Sequence, residues 1–361
     1  MFVVSPEEQS CKLFYNADDV RLNRNHPYGQ LDKTPEPMTD IRTAEVLYRP
    51  ETAELRFLPE GPYPTHRNGE LSWVAIQHGK LATNGSLNVL NFGDAATHPA
   101  GPRNRSFELP GRPGFAFPCD DGMTFVVGLE RLVGRFTPQT GAWDVFCRAV
   151  DADVENTIIN DGMVWEDNLI FGTKELEFKT PKAGLYLYRG SDQKLIQLRN
   201  DQICSNGKAI RHTASGLELI DIDSPTRQVA AYDLDIAAGT LGPRRVLLDL
   251  TDDPSVPDGA ILTPDGNGLI VSMFNFLGPG DGETRLYDLN DGSIKTVWRT
   301  PGSPQNTCPN LIDCDGRVVL VITTAVENMS DETLAQCPNA GCLFVGETDF
   351  EKTTPMPTFP A

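Results

Sequence analysis

The feature that most constrains the fold is a repeat of about fifty residues that recurs along nearly the whole chain. Each copy opens with a polar turn and continues directly into an apolar, β-rich run. The six runs are "NGELSWVAIQ", "DGMTFVVGLE", "EDNLIFGTKE", "SGLELIDIDS", "GNGLIVSMFN" and "DGRVVLVITT". Steps of 53, 46, 48, 52 and 48 residues separate the turn residues, which are Gly69, Gly122, Asn168, Gly216, Gly268 and Gly316.

Each run is followed by a second β-rich stretch, such as "GLYLYRGSDQKLIQL" or "TRLYDLNDGSIKTVW", with hairpin-type polar residues inside it. A period near fifty with four strands per unit predicts an all-β chain folded as a six-bladed β-propeller. A β-sandwich or two small β domains are the alternatives, and the even steps argue against them. The stretch "WDVFCRAVDADV" predicts an outer strand plus a connector, with a short helix as the alternative.

The repeat also predicts the domain organisation. Residues 1–43 lie outside it and are polar, and we expect an N-terminal extension that packs on the ring or closes it with an additional strand. A disordered tail is the alternative for this segment. Residues 44–361 form the propeller domain, in which we place the catalytic site.

Charge and targeting signals restrict the partners. The chain has 31 basic and 50 acidic residues, a net charge of −19, which would repel nucleic acids and anionic membranes and favours a small molecule or a cation. The start "MFVVSPEEQSCKLF" lacks the pattern of a signal peptide, and the longest apolar run is far shorter than the roughly 20 residues of a membrane helix. We therefore expect a cytoplasmic protein; its oligomeric state is not indicated.

The cysteines fit the same compartment. There are eight, and without a secretion signal they predict reduced thiols. The last four are spaced too widely for a typical zinc site, so buried thiols or one late disulfide are expected instead. These four are Cys308, Cys314, Cys337 and Cys342.

Four oxygen-bearing residues occupy comparable places in different repeats. They are Glu60 in "LPEGPYP", Asn160 in "TIINDGMVW", Asn206 in "CSNGKAI" and Asp223 in "LIDIDSPT". In a propeller, loops from several blades converge at one end of the central channel, so these side chains can meet there. Two carboxylates and two amides predict a divalent metal site, with calcium as the expected ion and magnesium, manganese or zinc as alternatives. Each motif taken singly is more typical of a plain turn than of a metal site.

The order of the short motifs identifies a family resemblance. "EGP", "NDG", "FGT", "SNG", "DS" and "PDG", in that order, resemble the senescence-marker protein/gluconolactonase/luciferin-regenerating (regucalcin-like) family over about residues 46–350. The resemblance implies a six-bladed propeller and a metal-dependent hydrolase. It further implies that Glu60, Asn206 and Asp223 hold the metal, that Asn160 faces the metal or the substrate, and that Asp223 is the catalytic carboxylate.

This chain differs from the family pattern at two positions that are associated with substrate binding. Members that hydrolyse sugar lactones often carry an arginine two residues before the asparagine of "ND", where this chain has Ile158. After "FGT" they often continue with Met-Ala and an acidic residue, whereas this chain continues "KELEFKTPKAG", with Glu175 or Glu177 as the candidate acid. Ile158 predicts a preference for less hydroxylated or more hydrophobic lactones.

The predicted function is therefore the hydrolysis of a small lactone. The divalent ion would polarise the ester carbonyl, and Asp223 or metal-bound water would activate the attack. One alternative is a phosphotriester or fluorophosphate hydrolase with Asp223 as the nucleophile. A second alternative is a calcium-binding propeller without turnover.

Overall fold

The structure is a computed structural model that describes residues 39–93 and 102–361. Of the extension predicted for residues 1–43, residues 1–38 lie outside the described residues. The described chain is almost entirely β-strand, with two short helices, α1 (Ala53–Phe57) and α2 (Asp331–Gln336). No described helix has the length and apolar character needed to cross a membrane.

The strands follow one another with short connections. In the first half of the chain they are β1 (Asp40–Thr43), β2 (Glu45–Tyr48), β3 (Pro59–Pro64), β4 (Glu70–Ala75), β5 (Gly85–Asn91), β6 (Arg103–Leu109), β7 (Pro113–Pro118), β8 (Phe125–Leu129), β9 (Leu132–Thr137), β10 (Ala142–Cys147), β11 (Thr157–Trp165), β12 (Asn168–Glu175), β13 (Ala183–Arg189) and β14 (Lys194–Gln202). In the second half they are β15 (Ser205–Thr213), β16 (Gly216–Asp223), β17 (Gln228–Asp235), β18 (Thr240–Leu241), β19 (Arg245–Asp249), β20 (Val256–Leu262), β21 (Gly268–Phe274), β22 (Gly282–Asp288), β23 (Ile294–Thr300), β24 (Asn306–Cys314), β25 (Arg317–Thr324) and β26 (Leu343–Glu347).

These strands form six sheets, which we call blades 1 to 6. The blades are β3–β6, β7–β10, β11–β14, β15–β19, β20–β23 and β24–β26. Consecutive strands within a blade pair antiparallel, except that β18 and β19 both pair with β17. The six inner strands contact one another in a closed ring, in the order β3, β7, β11, β15, β20, β24 and back to β3. The prediction of a six-bladed β-propeller is confirmed.

The phase of the repeat is also clear. The six apolar runs of the sequence are the second strands of the blades, β4, β8, β12, β16, β21 and β25. Every residue of β4, β8 and β12 is buried, since these strands are covered on both faces by neighbouring blades. The segment beginning at Trp143 is the outer strand β10 and not a helix.

Strands from the start of the described chain complete two outer edges. β2 pairs antiparallel with β26 and is the outermost strand of blade 6. β1 pairs parallel with β23 at the outer edge of blade 5. Chain segments far apart in sequence are thus held together at the point where the ring joins blade 6 to blade 1.

The inner strands share a local irregularity near their amino-terminal ends. Pairing shifts by a bulge between Asn206 and Lys208 in β15, and β3, β11 and β20 shift at equivalent places. A Cβ atom on Gly207 would lie 2.7 Å from the backbone nitrogen of Ala260 on the next inner strand. Glycine is required here because neighbouring inner strands approach too closely for a side chain.

The carboxy-terminal tail, residues 350–361, covers the opposite end of the channel. The Tyr63 hydroxyl donates to the carbonyl of Pro357, and the Phe359 N–H donates to the carbonyl of Pro118 at 3.1 Å. Tyr63 and Pro118 lie at the carboxy-terminal ends of β3 and β7, so the tail covers that end of the inner strands. A cavity of about 90 Å³ remains between the tail and the bulged ends of the inner strands.

The cysteines of the described residues are all free thiols. They are Cys119, Cys147, Cys204, Cys308, Cys314, Cys337 and Cys342. The late cysteines therefore form no disulfide within residues 102–361, in agreement with the expectation of buried thiols.

Candidate metal and active site

The bulged ends of the inner strands gather polar side chains around one end of the channel, which we call the channel mouth. Inner strands contribute Glu60, Asn160, Asp161, Asn206, Asp258 and Cys308, and the second strand of blade 3 contributes Lys174. The residue before each bulge glycine is polar or acidic in blades 1, 3, 4 and 5. Because the bulges lie at equivalent heights, one short sequence pattern places these side chains together.

Two carboxylates, the partly buried Glu60 and the buried Asp258, dominate the electrostatics of the channel mouth. Burial raises the pKa of Glu60 well above its ordinary value, and the charges of Asp258 and Asp161 raise it further. Burial likewise raises the pKa of Asp258, and the charge of Asp161 adds to the effect. Like charges held together out of water strongly favour the binding of a cation.

Two amides lie beside these carboxylates. Asn160 Nδ2 donates to Asn206 Oδ1 at 2.7 Å and to the carbonyl of Ser205 at 2.9 Å. Asn206 Nδ2 donates to the Ser224 hydroxyl at 2.7 Å. Asn160 is only 5% exposed, and its Oδ1 accepts no hydrogen bond from the described residues. This oxygen and the second lone pair of Asn206 Oδ1 are therefore available to a metal ion.

A polar layer around Lys208 lies next to the mouth. Lys208 Nζ donates to Ser205 Oγ at 2.8 Å and to the carbonyl of Asn206 at 2.6 Å, and it lies 3.5 Å from Asp221 Oδ1. Burial raises the pKa of Asp161, while the charge of Lys208 lowers it. Lys208 thus neutralises the carboxylates below the mouth and helps to hold the bulge of β15.

The donor set is compatible with a hard divalent ion. In the part of the chain that the structure describes, no three His, Cys, Asp or Glu side chains are arranged to hold a metal by themselves. A metal ion at the mouth would therefore need amide oxygens alongside Glu60 and Asp258. Such an all-oxygen set suits calcium, magnesium or manganese, with water completing the coordination.

Asp223 occupies a different place from the one predicted. It lies at the end of β16, one strand further from the axis, and its carboxylate accepts the N–H groups of Cys204 at 2.8 Å and Ile203 at 3.2 Å. Burial raises its pKa to about 6, against the lowering effect of these hydrogen bonds. The charges that act most strongly on Glu60 are those of Asp258, Asp161 and Lys174, so Asp258 supplies the second axial carboxylate.

Sequence reasoning therefore missed Asp258, although a signal existed. The tripeptide Pro-Asp-Gly around it belongs to the ordered motifs, and it repeats the polar-residue–glycine pattern of the other bulges. A second Pro-Asp-Gly, around Asp265, is the hairpin turn between β20 and β21. The two copies are indistinguishable until the strands are placed.

The predicted substrate residues are also placed differently. Ile158 is 2% exposed and lies directly opposite Lys174 in the β11–β12 ladder. Glu175 points to the other face of β12 and accepts the N–H of Lys179 at 2.8 Å. Glu177 is exposed and pairs with the Lys179 ammonium at 3.0 Å. The two glutamates therefore support the β12–β13 connection and do not reach the channel mouth.

Lys174 was not singled out by the sequence. It is only 7% exposed, and its charge lowers the pKa of Glu60 and of Asp258 against the larger effect of burial. It makes no hydrogen bond or ion pair with the described residues. The available signal was the departure after "FGT", where this residue stands.

Comparison with known proteins gives a consistent assignment. The family model for the SMP-30/gluconolactonase/LRE-like region matches residues 58–326. Regucalcin of Danio rerio is 29% identical over 243 residues, covering 60% of this chain and 76% of the relative. L-arabinolactonase of Azospirillum brasilense is 27% identical over 296 residues, covering 81% and 88% respectively.

A solved structure shares the fold. The calcium-binding protein regucalcin from Agrobacterium tumefaciens superposes with a TM-score of 0.71 at 20% identity, covering 90% of this chain and 100% of that protein. At this identity the likeness concerns the fold alone. The match over residues 58–326 includes Glu60, Asn160, Asn206 and Asp258. The chain belongs to the SMP-30/gluconolactonase/LRE-like family.

Proposed function

We propose that the protein hydrolyses small lactones with the help of one divalent metal ion held at the channel mouth. The observation that carries the proposal is the pair of carboxylates at the mouth, the partly buried Glu60 and the buried Asp258, whose pKa values are both raised by burial and by neighbouring acidic residues. Such a pair is costly in the absence of a cation and favourable with one. Kinship with a protein named L-arabinolactonase supports lactone hydrolysis as the reaction class.

Four residues would hold the ion. Glu60 and Asp258 would each contribute a carboxylate oxygen, and Asn160 and Asn206 would contribute amide oxygens. Two negative charges match a divalent ion, and calcium accepts about six to eight oxygen ligands including water. Calcium is therefore the proposed ion, and manganese, magnesium and zinc are to be compared with it.

The chemistry needs charge stabilisation and a proton acceptor. A bound divalent ion would supply the positive charge that stabilises the oxyanion developing on the lactone carbonyl. Asp258 is the proposed acceptor, at a carboxylate oxygen, of the proton that the attacking water loses. This gives Asp258 the role that the sequence assigned to Asp223. The Asn160 amide, fixed by its bonds to blade 4, would orient the substrate or the ion.

The test uses the purified protein, stripped of metal with EDTA and then loaded with Ca²⁺, Mn²⁺, Mg²⁺ or Zn²⁺. Acid release is measured on a panel of neutral and acidic sugar lactones, apolar lactones and a phosphotriester. We expect lactone hydrolysis only in the metal-loaded protein. Full turnover after stripping would contradict metal dependence. Stabilisation by metal without turnover of any ester would indicate a binding propeller, and hydrolysis of the phosphotriester alone would indicate the other hydrolase class.

A further inference from the structure

The channel contains two buried lysines with opposite environments. The Lys208 ammonium has three oxygen neighbours, Ser205 Oγ, the carbonyl of Asn206 and Asp221 Oδ1, at 2.6 to 3.5 Å. Lys174 is 7% exposed but makes no hydrogen bond or ion pair with any described residue. A lysine whose side chain is almost entirely buried, and whose ammonium has no acceptor in the protein, points to a ligand when it lies at a site.

The position of Lys174 associates it with the channel mouth. Its charge acts on Glu60, on Asp258 and on the Cys204 thiol. Cys204 is its isolated bridge partner across blades 3 and 4. Ile158, directly opposite on the same face of the ladder, offers neither a donor nor an acceptor. Neither of its two cross-strand neighbours, Ile158 and Cys204, therefore offers the ammonium an oxygen acceptor.

The acidic residues around the mouth have other neighbours or make no contact with the Lys174 ammonium. Two ionised carboxylates, Glu60 and Asp258, are neutralised by one divalent ion. Asp161 has its strongest cationic neighbour in Lys208. Glu327 is the other acidic residue whose charge acts on Asp258 and Cys204, and it forms no ion pair among the described residues. Because no described carboxylate accepts a hydrogen bond from Lys174, its ammonium remains available to an anionic group of the ligand.

We propose that Lys174 binds a carboxylate of the substrate, so that the preferred lactones carry an acid group in addition to the ring ester. This inference rests on the proposed lactone hydrolysis for its kinetic consequences, but not for the binding of the carboxylate. Ile158 alone predicted a substrate with few polar groups; the ammonium opposite it changes that expectation to a charged one.

The kinetic test compares two five-membered lactones that differ only at C6, D-glucono-1,4-lactone, which is neutral, and D-glucaro-1,4-lactone, which carries a carboxylate. Lys174→Met removes the charge but keeps an unbranched side chain. We expect kcat/KM for the acidic lactone to fall about 30- to 100-fold, mainly through KM, and for the neutral lactone to change less than threefold. Lys174→Arg should restore part of the loss, because the guanidinium also binds carboxylates.

Two further variants keep the test interpretable. Lys179→Met removes an exposed lysine of the same segment, paired with Glu177, and should leave both lactones unaffected. Lys174→Gln replaces Lys174→Met if the latter does not fold, as judged by circular dichroism. Equal losses on both lactones in the folded Lys174 variants would overturn the inference, since a general packing defect produces that pattern.

A binding measurement separates this inference from the proposed function. Calcium-loaded protein is titrated calorimetrically with D-glucarate and with D-gluconate, which has one carboxylate fewer. We expect wild type to bind glucarate at least tenfold more tightly, and Lys174→Met to lose the difference. Glucarate preference without hydrolysis of any lactone would reject the proposed function and keep the Lys174 site. Hydrolysis without any charge preference would keep the function and reject the Lys174 site.

Discussion

The two ends of the central channel are built from the same six strands, yet they have opposite properties. β3 shows this within six residues. At its start the partly buried carboxylate of Glu60 is affected by the charge of Asp258 and has no cationic partner in hydrogen-bond contact among the described residues. At its other end Tyr63 is 3% exposed, and its hydroxyl donates to the carbonyl of Pro357 in the tail.

The closed end is also well packed. Phe359 is 2% exposed, stacks on Phe146 with ring centroids 5.9 Å apart, and lies under the guanidinium of Arg135. Its backbone bonds to Pro118 and Asp120 complete the pairing at this edge. The two ends therefore contribute to stability with opposite signs. Repulsion between like charges at the mouth destabilises the metal-free fold, and apolar burial and hydrogen bonds at the closed end offset that cost.

The largest expected effect is the loss of activity when the mouth loses its axial carboxylate. Asp258→Asn should lower turnover by about 10²–10⁴-fold, the range for losing a general base, and should weaken metal binding. Asp265→Asn is the matched control, because it changes the same Pro-Asp-Gly tripeptide in an exposed turn. Rates of lactone hydrolysis at saturating metal provide the measurement. Equal losses in both variants would contradict a special role for the mouth.

The closed end should respond in stability instead of activity. Phe359→Ala removes a fully buried ring, and we expect the free energy of unfolding to fall by about 3 kcal/mol. Turnover of the folded protein should stay within threefold of wild type. Denaturant unfolding and steady-state rates are the readouts, and Lys352→Ala, at an exposed tail position, is the control. Unchanged stability with reduced turnover would reverse the assignment of the two ends.

Variants of Asp223 test whether its carboxylate belongs to the channel mouth. Burial raises its pKa to about 6 from the ordinary 3.8, so the folded state holds this proton more tightly than the unfolded state. Its contribution to stability is therefore complete below the ordinary pKa and is lost as the pH rises through about 6. In EDTA, raising the pH from about 4 to about 7 should lower the unfolding free energy of wild type by about 3 kcal/mol more than that of Asp223→Asn, which lacks the titrating group.

The variant Asp223→Asn also tests whether Asp223 is the general base of the reaction. At saturating metal we expect Asp223→Asn to retain turnover within about tenfold of wild type, because its carboxylate is directed at the backbone of residues 203 and 204. A loss of about 10²–10⁴-fold that metal does not restore would return the base role to Asp223.

The smallest effect concerns the stability of the metal-free mouth. Because the pKa of Glu60 is raised, its contribution is lost as the pH rises above the ordinary carboxyl range, and metal-free wild type should become less stable toward neutral pH. Glu60→Gln should stabilise the metal-free protein at neutral pH by about 1–3 kcal/mol, the scale for removing an uncompensated buried charge. It should also abolish the stabilisation by calcium. Thermal unfolding with EDTA or calcium measures both, with the exposed Glu177→Gln as control.

Much of the architecture follows from local sequence. The spacing of the six apolar runs gave the number of blades, because each run must be covered on both faces and each must occur once per sheet. The polar-residue–glycine pairs marked the bulges of the inner strands, although they were equally compatible with hairpin turns. The family follows from the order of these pairs, and with it three of the four residues now proposed as metal ligands, Glu60, Asn160 and Asn206.

The sequence by itself determined the repeat, the strand phase and most of the polar residues of the mouth, because alternation and glycine requirements act between near neighbours. The tertiary structure decided that Asp258 and not Asp223 faces the axis, that Lys174 is buried without a partner, and that the tail closes the far end. The physical reason is that charge interaction and burial depend on distance in space. Residues 60, 174 and 258 become neighbours only when blades 1, 3 and 5 are arranged around one channel.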